Sequence, residues 1–319
     1  MKNKCNVIFL GFDYDYEKLF IDELKEKEKE KEKEKDKDTT IRHIYFPKLL
    51  KFLYFRLPLI WRLFRPLLSY RLEFLLAKIN NVRLVIIKDD EFYINLSNSL
   101  KYEKIILFRN IATDKIIQLT EGTRRFTFDK QDAKKYSMEL YNQFTPAYEV
   151  LSKLPLEPQY DATFVGLDKG RKSVLDRLKI DNPHVSFNIS IVTNPSGIQR
   201  LVYWLKLNKP NDYISFIEKQ YSTTCVIDIV QSNQSGETMR FIEAFIAGKK
   251  VITNNHSISD HELYSENNVY IIGRDKRALD EFIFNKFSAP EKKLLLKYSS
   301  SVVIDSIIDR SIRSMDSGN

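Results

Sequence analysis

Thiols and imidazoles are scarce in this chain: Cys5 and Cys225 are its two cysteines, and His43, His184, His256 and His261 its four histidines. Two thiols cannot build a disulfide framework, and no CxxC or HExxH spacing marks a zinc site, so metal-free chemistry in the cytoplasm is the expectation. No small-residue cleavage site follows the first apolar run either. Met1 to Phe12 has an apolar centre flanked by lysine but runs into Asp13, Asp15 and Glu17, which reads as a strand and not as a signal peptide. Long uncharged apolar runs are absent too. Between Arg42 and Lys78 none exceeds six residues, whereas a spanning helix needs about 20.

What is present is a globular composition, 43% apolar and 13% aromatic over 319 residues, long enough for two domains that each bury a core. The formal charge of +8 is concentrated in one place. Arg42 to Lys78 holds eight basic residues against Glu73 alone, +7 of the total, and interleaves them with Phe, Leu, Trp and Tyr. Pro47, Pro58 and Pro66 are expected to break its helical continuity. Such a segment suits an anionic membrane surface, with Lys and Arg at the headgroups and apolar side chains at the acyl boundary; the alternative is a basic helix pair packed on a domain core. No recognition motif accompanies the charge, which argues against nucleic acid. The alternating run from Lys25 to Asp38 has seven lysines and seven acids, so it adds no net charge. It reads as a solvated helical extension or a disordered insert without chemistry.

Short apolar runs at Asn6–Gly11, Ile41–Tyr45, Arg83–Ile87, Lys104–Phe108 and Arg125–Phe128 alternate with helix-like stretches, the pattern of a parallel sheet covered on both faces. Pro146, Pro155 and Pro158 mark a linker. The chain then restarts at Asp161–Gly166 as strand, glycine loop and helix, with further strands at Val185–Val192, Cys225–Val230, Val251–Asn254 and Val269–Ile272. The division expected is an N-terminal domain over 1–150, a C-terminal one over 158–300, and a tail over 301–319 whose helix packs back across both.

The most informative stretch runs from Cys225 to Thr253 as strand, polar loop, helix and strand. Ser235 is placed to cap the helix, Met239, Ile242, Phe245 and Ile246 form a buried stripe, and Gly248 ends it. Arg240 and Glu243 then share an edge away from the stripe. Gly236 beside the cap lets a ligand approach the helix amides, where the macrodipole favours an anion such as a diphosphate. With Glu243-Ala-x-x-x-Gly-Lys-Lys-Val-Ile-Thr behind a Gln-Ser-Gly helix start, this stretch resembles the nucleotide-sugar half of two-domain (GT-B) glycosyltransferases. More narrowly it is similar to the CgeB-related bacterial surface-polysaccharide proteins, as are Tyr160–Gly166 and Phe126–Tyr136. The resemblance is good over roughly residues 120 to 275 and poor before them.

That resemblance implies an α/β fold of two Rossmann-like domains facing a cleft, with Gln234, Ser235, Gly236, Arg240 and Glu243 on the cleft wall. Glu243 would meet the donor ribose or sugar hydroxyls, while Arg240 and Lys249 or Lys250 would offset the diphosphate charge; Gly166 and Arg171 complete the donor set. The nucleotide sugar is a substrate and no cofactor is called for. The retaining members carry two acids eight residues apart, and Ser235 stands eight before Glu243, which leaves the stereochemistry open. Each residue also has a plain structural role available: Glu243 as a surface partner of Arg240, Gly166 and Gly170 as a turn, Arg171 as a solvated helix start. Asp13, just past the first strand, is either the general base toward an acceptor hydroxyl or a turn cap. The activity expected is metal-independent transfer of a sugar to a cell-surface polysaccharide or lipid-linked glycan, on the inner face of the cytoplasmic membrane. The alternative is a non-catalytic nucleotide- or glycan-binding module.

Overall fold

The computed structural model describes residues 5–33, 39–154, 157–192, 213–230 and 236–317. Two compact units result, one of Met1–Asn142 with Ser300–Asn319, the other of Gln143–Ser299.

In the first unit the order is β1 (Cys5–Leu10), α1 (Asp15–Lys33), β2 (Thr39–Ile44), α2 (Lys48–Arg56), α3 (Pro58–Ala77), β3 (Val82–Lys88), α4 (Glu91–Ser97), β4 (Lys104–Leu107), α5 (Asp114–Leu119), β5 (Arg124–Thr127), α6 (Lys130–Tyr136) and β6 (Glu139–Leu140). The strands form one parallel sheet in the order β2-β1-β3-β4-β5-β6. Val7 to Leu10 and Leu84 to Ile87 are fully buried, because a parallel strand has both faces covered and every side chain must be apolar. The chain leaves β1 for β2 on one side and returns as β3 on the other. The carboxyl ends of β1 and β3 are therefore a topological switch point, where sheets of this kind bind ligands.

Pro47 stands ahead of α2 and Pro58 starts α3 after a break at Leu57, as the sequence leads one to expect, but Pro66 does not break the helix. Pro58 sits in the first turn of α3, where its missing N–H costs nothing, and the helix continues through Pro66 to Ala77. Trp61, Leu68, Leu72 and Leu76 hold α3 against a core that includes Val85, Ile87 and Phe92, and this burial offsets the hydrogen bond lost at Pro66. Helix α1 takes in the alternating charges as far as Lys33, and residues 34–38 lie outside the described residues.

The second unit runs α7 (Tyr148–Leu151), β7 (Tyr160–Leu167), α8 (Lys172–Asp181), β8 (Phe187–Val192), α9 (Tyr213–Tyr221), β9 (Thr223–Asp228), α10 (Met239–Ile246), β10 (Lys250–Thr253), β11 (Val269–Ile271), α11 (Leu279–Phe284) and α12 (Lys292–Leu296). Its parallel sheet has the order β11-β10-β9-β7-β8, with the switch point between β7 and β9.

The unit boundary falls after Asn142, ahead of the prolines that mark it in the sequence. Thr145 already belongs to the second unit: its N–H donates to the Tyr298 carbonyl at 3.1 Å. The final helix, α13 (Ser300–Ser317), joins the first unit. Ser300 Oγ donates to Glu23 at 2.8 Å, Lys27 donates to Ser301 Oγ at 2.9 Å, and Arg310 pairs with Glu139 at 2.6 Å. It is therefore an element of the N-terminal unit and not a separate tail.

Candidate functional site

At the switch point of the second sheet, β7 and β9 end side by side and each delivers a loop. The β7 loop carries Gly166 through Arg171, with Lys169 at φ 43° and Gly170 at φ 80° turning the chain into α8. Strand β9 ends on Asp228. Helix α10 opens nearby, its Thr238 hydroxyl accepting from the Phe241 N–H at 3.0 Å and donating to Asp228 Oδ2 at 2.8 Å. Thr238 is thus the cap. The sequence places the cap at Ser235, which with Gln234 lies outside the described residues.

Two guanidiniums converge here. Arg240 Nη2 donates to the Val165 carbonyl at 2.9 Å, and Arg171 Nε donates to the Ile229 carbonyl at 2.7 Å and Nη1 to Leu167 at 3.3 Å. Both stand over the Phe164 ring, their Cζ atoms 4.8 Å and 5.9 Å from its centroid. Gly166 makes room for this: a Cβ there would lie 3.0 Å from Arg240 Nη2. Burial pulls the Arg171 pKa down and the neighbouring Arg240 adds to the effect, against Asp228 and Asp168. The charge that faces them is Asp228, 3.6 Å from Arg240 Nη1, with no hydrogen bond to its buried Oδ1. Burial pushes its carboxyl up, opposed by Arg240, Thr238 and Arg171. The two guanidinium forks are fixed beside Asp228 and Asp168, and their planar donor geometry suits bidentate recognition of phosphate oxygens. Gly166, Arg171 and Arg240 are brought together, and Gly236 is buried at the approach to α10.

Glu243 belongs to a different environment. It is 2% exposed, its Oε2 accepts from Tyr221 OH at 2.6 Å and its Oε1 from Thr145 Oγ1 at 2.8 Å and from Tyr213. Burial raises its pKa against the pull of those three hydroxyls. Every residue from Phe241 to Ile246 is buried, so the helix has no exposed edge for an Arg240–Glu243 pair. A ribose contact from Glu243 is not available in this arrangement; the carboxylate ties α10 to α9 and to the start of the unit. The lysines after Gly248 are buried as well. Burial lowers Lys249, while Lys250 donates to the carbonyls of Phe282 at 2.5 Å, Ile283 at 3.2 Å and Asn285, closing the end of α11. Neither is presented to an outside anion.

Asp13 lies at the switch point of the first sheet, inside a buried charge cluster that the sequence reading missed. Its carboxylate is 3.2 Å from Lys51 and 3.7 Å from Lys88, and Tyr93 OH reaches it at 3.5 Å. Lys88 pairs with Glu17 at 2.7 Å and Lys51 with Asp90 at 2.8 Å. Burial weakens the Lys51 ammonium, but Asp90 and Asp13 outweigh it and the net shift is upward. Asp13 therefore balances lysines and caps no turn. The signal for this cluster was Lys88-Asp89-Asp90, charged residues directly behind a buried strand. Among the described residues no group of three or more His, Cys, Asp or Glu is arranged to hold a metal ion.

The chain matches no family model and no curated protein. Among solved structures it is similar to UDP-GlcNAc 2-epimerase from Methanocaldococcus jannaschii, at 12% identity and a TM-score of 0.51, over 95% of this chain and 98% of that one. The same epimerase in complex with UDP-GlcNAc and UDP gives 12% and 0.50, over 96% and 99%. The fold is GT-B-like. Sucrose-phosphate synthase from Thermosynechococcus elongatus follows at 10% and 0.47, over 97% and 94%. At these identities the likeness speaks for the fold, two parallel α/β sheets of Rossmann-like type.

Proposed function

We propose that the chain is a glycosyltransferase that moves a sugar from a nucleotide-sugar donor to a cell-surface polysaccharide or lipid-linked glycan, as in the surface-polysaccharide group its sequence resembles. The carrying observation is the pair Arg171 and Arg240 on Phe164, at the switch point between β7 and β9. In transfer the acceptor oxygen bonds to the anomeric carbon, the bond from that carbon to the diphosphate breaks, and the hydroxyl proton passes to a base. The two guanidiniums would carry the charge that develops on the leaving diphosphate, the part a divalent ion plays in other transferases. The epimerase with this fold, solved with UDP-GlcNAc and UDP, supports a nucleotide sugar as the ligand class. The site of action is the cytoplasm, peripheral on the inner face of the membrane through residues 42–78.

A second reading has its own support: Asp13, expected as the general base, and Glu243, expected at the donor hydroxyls, are both engaged by protein groups. That favours a nucleotide-sugar-binding module without turnover. Thermal-shift screening with UDP, GDP, CMP and TDP sugars tests the shared premise, since a ligand at 100 times its Kd stabilises by about 2.7 kcal/mol. Stabilisation that Arg171→Gln abolishes is expected; if no nucleotide sugar stabilises the protein, both readings fall. Release of free nucleotide from the stabilising donor, with loss of that release in Asp13→Asn at unchanged donor affinity, selects the enzyme.

A further inference from the structure

Among the described residues, eleven of the nineteen exposed large apolar side chains lie between Leu49 and Leu75, on α2, α3 and the Leu57 joint between them. Those of α3 are ordered. Leu59, Leu63, Leu67, Tyr70 and Phe74 recur at intervals of four, four, three and four, a straight stripe at about 100° per residue on the side opposite Trp61, Leu68, Leu72 and Leu76. Exposure along it reaches 76% at Leu59 and 80% at Leu63. A helix that packs one apolar stripe on a core normally turns charge outward; α3 turns a second apolar stripe outward, and such a surface marks an interaction site.

Charge identifies the occupant. Arg62 and Arg71 border the stripe on its two sides, Arg56, Arg65 and Lys78 add exposed positive charge to the same segment, and Glu73 is the one acid between Lys48 and Lys78. A second copy of the chain would set this basic surface against itself, whereas an anionic leaflet complements it. No described helix is long and apolar enough to cross a membrane. We infer that α3 lies in the plane of an anionic bilayer leaflet, with the stripe Leu59, Leu63, Leu67, Tyr70 and Phe74 in the acyl boundary and the flanking arginines among the headgroups. This rests on the membrane part of the reading above and adds to it that insertion, not charge alone, holds the chain. It is independent of the donor chemistry.

The test is sedimentation of the full chain with phosphatidylcholine–phosphatidylglycerol vesicles and with phosphatidylcholine alone, at low and high salt. Insertion predicts binding to the anionic vesicles that survives high salt, and a loss of about 100-fold in Leu63→Ser/Leu67→Ser, whose two positions are exposed and leave the core intact. Emission of Leu63→Trp should be quenched by lipids brominated on the acyl chain. If the wild type binds but high salt releases it and the double serine variant binds equally well, the stripe does not insert and only a basic surface contact stands. Failure to bind anionic vesicles at all overturns both, and a dimer that Leu63→Ser/Leu67→Ser converts to monomer would assign the stripe to a second copy instead.

Discussion

Arg240→Ala removes the guanidinium that faces Asp228, and its cost follows from the geometry. Deleting one member of a buried ion pair costs 3–5 kcal/mol because the other charge is left uncompensated; a 3.6 Å separation and the 16% exposure of the Arg240 side chain put this pair at about 3 kcal/mol. Adding Asp228→Asn takes the stranded charge away while keeping an oxygen that accepts from Thr238. The double variant should therefore regain about 2 kcal/mol of that loss, a coupling within the range for residues in direct contact. Urea unfolding followed by circular dichroism measures both. Acid gives a second handle. Burial already holds Asp228 above its usual 3.8, and a carboxyl with a raised folded pKa contributes fully below 3.8 and loses that contribution as pH climbs through the folded value. Without Arg240 that pKa rises further, so the deficit of Arg240→Ala should be small in acid and grow toward neutrality, and this trend should vanish in the double variant. Equal stability of the single and double variants at neutral pH would refute the reasoning.

Gly166→Ala should push Arg240 Nη2 off its 3.0 Å approach and weaken nucleotide-sugar binding by about tenfold, one charge-assisted hydrogen bond, with little change in melting temperature; calorimetric titration checks this. Glu243→Ala should destabilise the protein by about 2–6 kcal/mol, since it orphans the buried hydroxyls of Tyr221 and Thr145 at about 1–3 kcal/mol each. Glu243→Gln, which still accepts, should cost far less, and equal losses in urea unfolding would speak against the cluster. Lys250→Met should lower stability by about 1–3 kcal/mol by baring the carbonyls at the end of α11, without altering donor affinity.

Ten strands were readable because buried parallel strands are continuous apolar runs, and the stretch from Asn6 to Gly11 announces β1 almost to the residue. Strand β6 has two residues and no run to announce it. The unit boundary was less legible. Pro146 and its neighbours mark bends, whereas the division depends on what the residues near Thr145 bond to, here the carbonyl of Tyr298, a tertiary fact. In the site, Gly166, Arg171 and Arg240 were readable since they follow strand ends on the expected side. Glu243 was not: i,i+3 spacing from Arg240 suggests a solvent edge, and only the packing of Phe241 and Ala244 beside the apolar stripe shows that α10 is enclosed all round. The lysine partners of Asp13 come from α2 and β3, far away in sequence.

The attachment of α13 to the N-terminal unit has a consequence for how the chain is made. Domains generally fold as units, the first to leave the ribosome closing first. Gln143–Ser299 has all its elements once Ser299 is made, whereas the unit begun at Cys5 has its six strands by Leu140 but receives its last helix only when Ser300 can reach Glu23 and Arg310 can reach Glu139. A nascent chain stalled before α13 emerges would thus carry a finished second unit and an unfinished first one.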